Sequence, residues 1–411
     1  MPHSRRISPI FAASRRSAAS PTMALCSAAA LGLSACTCPP VPPRPQDSPS
    51  GVSAPPAQTS SPADSIAPRP TAPWFAADPA FFAAATESGG WALADASSGA
   101  ILDAAPPSDL AGERDAAWDP WQSRLLVFES AEDGTWGEIA GYPFSAGEDE
   151  SAFGERSHLV WIDGRARIAA SPHGAVVFEE SAGPRWRLVR ADGQPSASVF
   201  GPRPMSLVPE LRDDGSFRVT ALTYGLDDAT PDLRVAEVDP SGITPPVTVP
   251  VGVGPLSEDS APRWFVANET GHLVTAADGD LWLTTSAGSG YPAWMPVGLG
   301  PGVPRVTSAV PFPSGDRVAF TTTGPFDVAV VTVGPEGAPA CAASLDLPGE
   351  MGNAPLFFER PLLALSETRL LAATSEGVFA ITVSADCPPS LAIDLDFEGD
   401  SLRAPLVPIS D

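Results

Sequence analysis

Arg124-Leu125-Leu126-Val127-Phe128-Glu129 is a short apolar run that leads through a polar turn into a second run starting at Trp136. Far downstream, Arg317-Val318-Ala319-Phe320 has the same order and is again followed by a turn and another run. Phe217 to Tyr224 (FRVTALTY) and Asp327 to Gly334 (DVAVVTVG) are of the same kind. Each run is rich in β-branched, aromatic or leucine side chains, with Gly, Pro, Asp or Ser close by, which is the composition of β-strands between tight turns. No segment keeps an apolar stripe at helical spacing. The pattern predicts an all-β chain.

With that strand as anchor, similar runs begin near Ala80, Arg124, Ala175, Arg218, His272, Arg317 and Arg369, at intervals of 44, 51, 43, 54, 45 and 52 residues. A second parallel sets Pro73-Trp74-Phe75-Ala76-Ala77-Asp78 against Arg263-Trp264-Phe265-Val266-Ala267-Asn268, and carries on to place Gly89 on Gly279 and Leu93 on Leu283. A repeat of about 40–50 residues with several strands in each unit is the signature of a propeller blade. Residues 74–411 are therefore expected to form a single β-propeller of about seven blades, with six or eight as neighbouring choices. The competing fold, a pair of β-sandwiches, would not need units of similar length.

Trp118-Asp119-Pro120 before Leu125, Pro313-Ser314-Gly315 before Val318, and the shortened Ser171-Pro172-His173-Gly174 before Val176 resemble the W-S-P-D-G-x-x-I-A-F unit of TolB-like propeller repeats. Three degenerate copies imply a fold and say nothing of an activity.

The first 73 residues have a different character. Met1 to Pro21 carries two arginine pairs and no acid, and Thr22 to Ala35 is a short run of small apolar residues. That run is too short to span a bilayer and reads as a secretory signal. The alternative use of Ser4-Arg5-Arg6, as a twin-arginine export signal, matches poorly in its flanks. The run ends in Leu33-Ser34-Ala35-Cys36, which resembles the lipobox of bacterial lipoproteins. The resemblance implies removal of residues 1–35 and acylation of Cys36 as the lipid anchor. Thr37 stands where Asp would favour retention in an inner membrane, so the expected location is the outer membrane or cell surface. From Pro39 to Pro73, 12 of 35 residues are proline. Residues 36–73 are expected to be a disordered linker, because proline donates no backbone hydrogen bond and at roughly 3.1 Å per residue keeps the chain extended.

All 24 basic residues are arginine, as codon drift in a GC-rich genome would produce, and the formal net charge is −25. Removal of the signal takes four arginines and no acid, leaving 20 against 49. Such a surface repels phosphate backbones and anionic lipid heads, so no nucleic-acid partner is expected, and membrane contact only through the lipid anchor.

Candidates for chemistry are few. Cys341 and Cys387 stand one repeat apart in similar contexts (PACAASLDL and DCPPSLAIDL) and could pair as a disulfide in an oxidising compartment, which would leave Cys38 over. His158, His173 and His272 lie in no paired metal-ligand or base motif, and no serine lies in a G-x-S-x-G elbow. No catalytic residue and no cofactor is predicted. Asp394, Asp396 and Glu398 resemble the start of a calcium loop, but Pro405 occupies the position of its closing acid; an ordinary half-buried strand explains the alternation with Leu395 and Phe397. Ser130 to Trp136 comes near the Asp-box turn of sialidase-type propellers and reads structurally as a hairpin with an aromatic plug. Trp186, Trp282 and Trp294 are candidates for the rim of a carbohydrate site. The expected function is a non-enzymatic, lipid-anchored scaffold or binding propeller whose partner is an envelope protein or a glycan. A secreted glycan-active hydrolase or lyase is the alternative.

Overall fold

The computed structural model describes residues 79–410 apart from 111, 148–150, 181–182, 212–214, 225–230, 249–264, 268–271, 278–279, 286–294, 298–305, 323–327, 334–338, 350–359 and 398–401. The expected signal, Cys36, Cys38, the expected linker, Trp74 and Trp264 lie outside the described residues. Among those described the chain is all strand, with no helix.

Among the described residues, thirty strands form seven antiparallel sheets. Sheet I holds β1 (Phe81–Thr86), β2 (Trp91–Asp95) and β3 (Ile101–Ala105), completed by the last strand of the chain, β30 (Leu402–Ile409), in the order β30-β1-β2-β3. Sheet II runs β4 (Arg114–Asp119), β5 (Arg124–Ser130) and β6 (Trp136–Ala146), and both β7 (Ser151–Phe153) and β8 (Ser157–Asp163) pair with β6. Sheet III is β9 (Ala166–Ser171), β10 (Gly174–Glu179), β11 (Arg185–Arg190) and β12 (Val199–Phe200). Sheet IV is β13 (Pro204–Leu211), β14 (Phe217–Tyr224) and β15 (Pro231–Asp239), with β16 (Gly242–Ile243) and β17 (Val247–Thr248) both on β15. Sheet V is β18 (Phe265–Ala267), β19 (His272–Ala277), β20 (Asp280–Thr285) and β21 (Met295–Val297). Sheet VI is β22 (Val306–Pro311), β23 (Arg317–Thr322), β24 (Val328–Val333) and β25 (Pro339–Leu345). Sheet VII is β26 (Leu362–Ser366), β27 (Arg369–Ala373), β28 (Val378–Val383) and β29 (Leu391–Asp396).

The first strands β4, β9, β13, β18, β22, β26 and β30 touch one another in that order, and β30 returns to β4, which closes a ring. The seven anchors read from the sequence all fall within one residue of the start of a second strand: β1, β5, β10, β14, β19, β23 and β27. The first strand of sheet I is the exception to the repeat. Its place is taken from the other end of the domain, where β30 pairs with β1 from Phe81↔Ile409 to Thr86↔Leu402.

The core consists of the seams between consecutive sheets. In β5 every residue is buried, because alternate side chains serve different seams. Leu125 and Val127 join Trp91, Leu93 and Val407 in the seam with sheet I, while Leu126 and Phe128 join Ile168, Ala170 and Val177 in the seam with sheet III. Further clusters fill the seams VII–I, III–IV and VI–VII. Pairing within a sheet also fixes hairpin chemistry. Gly174, which opens β10, has φ +133°, and a Cβ there would stand 2.2 Å from the Val189 carbonyl oxygen on β11, so only glycine fits.

Arginine ties the sheets across these seams. Arg317 opens β23 and donates to the carbonyls of Glu367 (3.2 Å) and Ser384 (3.1 Å) in sheet VII. Arg369, at the same place in sheet VII, donates to the Ser97 carbonyl of sheet I (3.3 Å). Arg190 reaches the Pro240 and Ser241 carbonyls of sheet IV (3.2 and 3.3 Å). A guanidinium suits this use because its several donors can cap more than one carbonyl at once.

Candidate functional site

Identical connectivity makes all first strands start at one end of the ring, where the second strands finish. Charged side chains gather there. Glu113 precedes β4 and is paired with Arg167 of β9, and with Arg165 at 3.4 Å. Asp115 on β4 accepts from the Ile168 amide (3.0 Å), and Arg360, just before β26, lies 3.9 Å from it. Arg360 also accepts at its carbonyl from the Leu406 amide of β30 (3.0 Å), so one residue links sheets VII, I and II. Arg203 meets Glu180 at 2.6 Å, and Arg403 meets Glu87 at 3.2 Å. Burial pushes the Asp115 carboxyl above the usual carboxylate range against the pull of Arg360 and Arg167, and lowers the Arg167 guanidinium.

A second cluster lies at the seam of sheets I and II and runs outward to the rim. Glu129, the last residue but one of β5, faces Glu138 across the ladder. Its carboxylate is buried and accepts from Trp91 Nε1 of sheet I (3.3 Å) and from Arg156 (3.0 Å), with Arg114 at 3.9 Å. Arg156 also holds Glu138 (2.9 Å), whose other oxygen lies 2.7 Å from His158 Nδ1. Burial, reinforced by Glu129, raises the pKa of the adjoining Tyr142 hydroxyl above the usual phenol range. His158 packs on Trp161 with ring centroids 4.7 Å apart, and Trp161 meets Trp136 edge-on at 5.4 Å. Arg156 therefore couples two carboxylates in the interior to an aromatic corner in solvent.

Removing the central carboxylate is expected to be costly. Glu129→Ala leaves an indole N–H and two guanidinium groups short of a partner, and breaking a buried ion pair costs about 3–5 kcal/mol. Urea unfolding should show that loss, with Glu129→Gln, which keeps the volume and a carbonyl acceptor, retaining part of it. A variant as stable as the parent would contradict the assignment.

The residues singled out from the sequence fare differently. Cys341 on β25 and Cys387 before β29 are joined as a disulfide, linking sheets VI and VII. Asp394 and Asp396 lie on β29; Arg369 is 3.7 Å from Asp394, and Leu395 and Phe397 pack into the VII–I seam, as the strand reading requires. Glu398 lies outside the described residues, and no cluster of three or more His, Cys, Asp or Glu among the described residues could hold a metal ion. His173 sits in the β9–β10 turn, its imidazole below the usual range through burial, and His272 opens β19. Trp186 corrects the carbohydrate-rim expectation: it is fully buried in the III–IV seam and donates to the Pro202 carbonyl. Trp282 lies on β20, and Trp294 lies outside the described residues. The turn from Ser130 to Trp136 is a hairpin as expected, but Trp136 is no plug; it is 43% exposed. Nothing in the sequence marks the rim corner, because Trp136 lies on β6 while His158 and Trp161 lie on β8 beyond β7, and only the pairing of β6 with β8 brings them together.

No family model matches the chain, and no curated protein matches it. Solved structures do. A proposed 6-phosphogluconolactonase of Bacteroides fragilis superposes with a TM-score of 0.55 at 11% identity, covering 80% of this chain and 98% of that one. The periplasmic gluconolactonase PpgL of Pseudomonas aeruginosa gives 0.53 at 14% identity, covering 80% and 99%. The fold is a β-propeller. A functionally unknown protein of Desulfotomaculum acetoxidans is as similar (TM-score 0.54, 12% identity, 79% and 98% covered). At such identities the propeller is shared and the chemistry is not implied.

Proposed function

We propose that this propeller is an exported, lipid-anchored binding module of the cell envelope. Residues 1–35 are the signal, Cys36 carries the lipid, residues 36–73 are the tether, and the domain that follows holds an envelope protein or a glycan. The observation that carries the binding role is the half-exposed pair Trp136 and Trp161, set beside the ionic cluster of the I–II seam while Trp91, Trp118 and Trp186 are buried. Export is supported by the Leu33-Ser34-Ala35-Cys36 sequence and by the Cys341–Cys387 disulfide, a bond that persists in oxidising compartments.

The glycan-active alternative draws on the same cluster, since Glu129 and Glu138 face each other across one ladder. Hydrolysis by a carboxylate pair needs one acid and one base in distinct environments. Here Arg156 grips both carboxylates, which favours holding a ligand over transferring protons.

Two measurements test the reading. Cys36→Ala should move the protein from the membrane fraction to the soluble exported fraction; partition equal to the parent overturns the anchor. Crosslinking followed by purification from detergent-solubilised membranes should recover an envelope protein or a glycan in stoichiometric amount. Recovery of the bait alone, together with no glycan binding in solution, overturns the binding role.

A further inference from the structure

We propose that the corner formed by Trp136, His158 and Trp161 is a binding site for the uncharged sugar rings of a polysaccharide. The inference rests on the binding role argued above and names its ligand. Trp136 and Trp161 are 43% and 57% exposed, their rings inclined by 66°, with the His158 ring beside Trp161. Exposed indoles in contact are costly in water unless something covers them in use.

The sheet builds this corner on purpose-made geometry. β8 pairs with β6 from Trp136↔Asp163 to Gly141↔Ser157, and a register shift between Ile139 and Ala140 interrupts the alternation. A bulge of that kind re-aims a side chain, which lets His158 and Trp161, three residues apart, meet on one face. The outer edge of β8 is already engaged, since Arg187 of sheet III lies at 3.4 Å from the Trp161 carbonyl. What β8 offers a ligand is its side-chain face.

Three features choose the ligand. Two indoles and an imidazole make a surface the size of a sugar or two, far below the ~800 Å² per partner of a stable protein interface. A pyranose presents a C–H face that packs on an indole and a rim of hydroxyls that need both donors and acceptors. His158, half-exposed and held at Nδ1 by the buried Glu138, presents its other ring nitrogen at the base of the corner, and Asp163 stands opposite Trp136 on the ladder. The net charge of −25 repels acidic polymers and leaves neutral ones.

The test uses the full mature chain. Tryptophan fluorescence is titrated with cellohexaose, chitohexaose and maltohexaose, and co-sedimentation is measured with cellulose and chitin, polygalacturonate serving as the acidic control. At least one neutral glycan should bind, polygalacturonate should not, and Trp136→Ala with Trp161→Ala should weaken binding at least tenfold with the unfolding midpoint kept. Should the double variant fold poorly, Trp161→Ala alone, at the more exposed ring, should lose at least threefold. Absence of binding to every neutral glycan overturns the inference, as does a folded variant that binds like the parent. Membrane capture separates the two levels. An envelope protein recovered equally with parent and double variant, without glycan binding, removes the sugar site and keeps the binding role; bait alone together with no glycan binding removes both.

Discussion

A chain ending at Phe397 is expected not to fold. It lacks β30, whose Leu402, Leu406, Val407 and Ile409 are all buried, the first two in the VII–I seam and the last two in the I–II seam. Burial of an aliphatic side chain of that size is worth about 1.5–3 kcal/mol, so these four represent roughly 6–12 kcal/mol. That matches the whole stability of an ordinary domain, about 5–15 kcal/mol. The truncation also exposes the inner edge of β1 and removes the Ser410 hydroxyl that accepts from Trp118 Nε1 (3.1 Å). The expected result is loss of the cooperative thermal transition in circular dichroism and a tendency to aggregate through the open strand edge. A truncated chain melting cooperatively within a few degrees of the parent would show that the ring does not depend on its closing strand.

Loss of the disulfide should have the next largest effect. Cys341 and Cys387 are 46 residues apart, and the bond joins the outer strands' region of sheets VI and VII. Closing a loop of that length in the unfolded chain lowers its entropy by an amount equivalent to about 4 kcal/mol at room temperature. Cys341→Ser with Cys387→Ser, or the parent under strong reductant, should lose about 2–5 kcal/mol by urea unfolding, both by a similar amount. An unchanged midpoint in both would mean that the VI–VII seam, with Phe312, Phe379 and Ile381 in its core, is sufficient without the bond.

The seven second strands were legible because they do two jobs in every unit. β1, β5, β10, β23 and β27 are buried on both faces, so their apolar runs are unbroken, and β23 and β27 open on an arginine with the same task. Arg317 and Arg369 each cap carbonyls of the next sheet, and that shared duty leaves the recurrent Arg in the text. The closing strand was illegible for the converse reason. β30 sits beside β1 through pairing between residues at opposite ends of the domain, and no local pattern marks a pairing of that range. The cluster around Arg156 was hidden too. Its members are ordinary charged residues in separate strands, and with 49 acids in the chain only coordinates tell which two share a guanidinium. Tryptophans carried no usable signal singly: Trp186 and Trp161 are alike as letters, and the seam decides which one is covered.

Sheet I is the first to begin and the last to be finished. As the chain emerges from its amino end, β1 to β3 wait with an empty place beside β1 while the six other sheets are made, until an eight-residue strand arrives to fill it. Joining partners so far apart in the chain is a slow event, because the loop entropy is lost before the contacts reward it. The unfinished ring is thus an open-ended stack for as long as synthesis lasts. Under the export proposed above, that delay is an advantage, since a circle that cannot lock early can still be threaded.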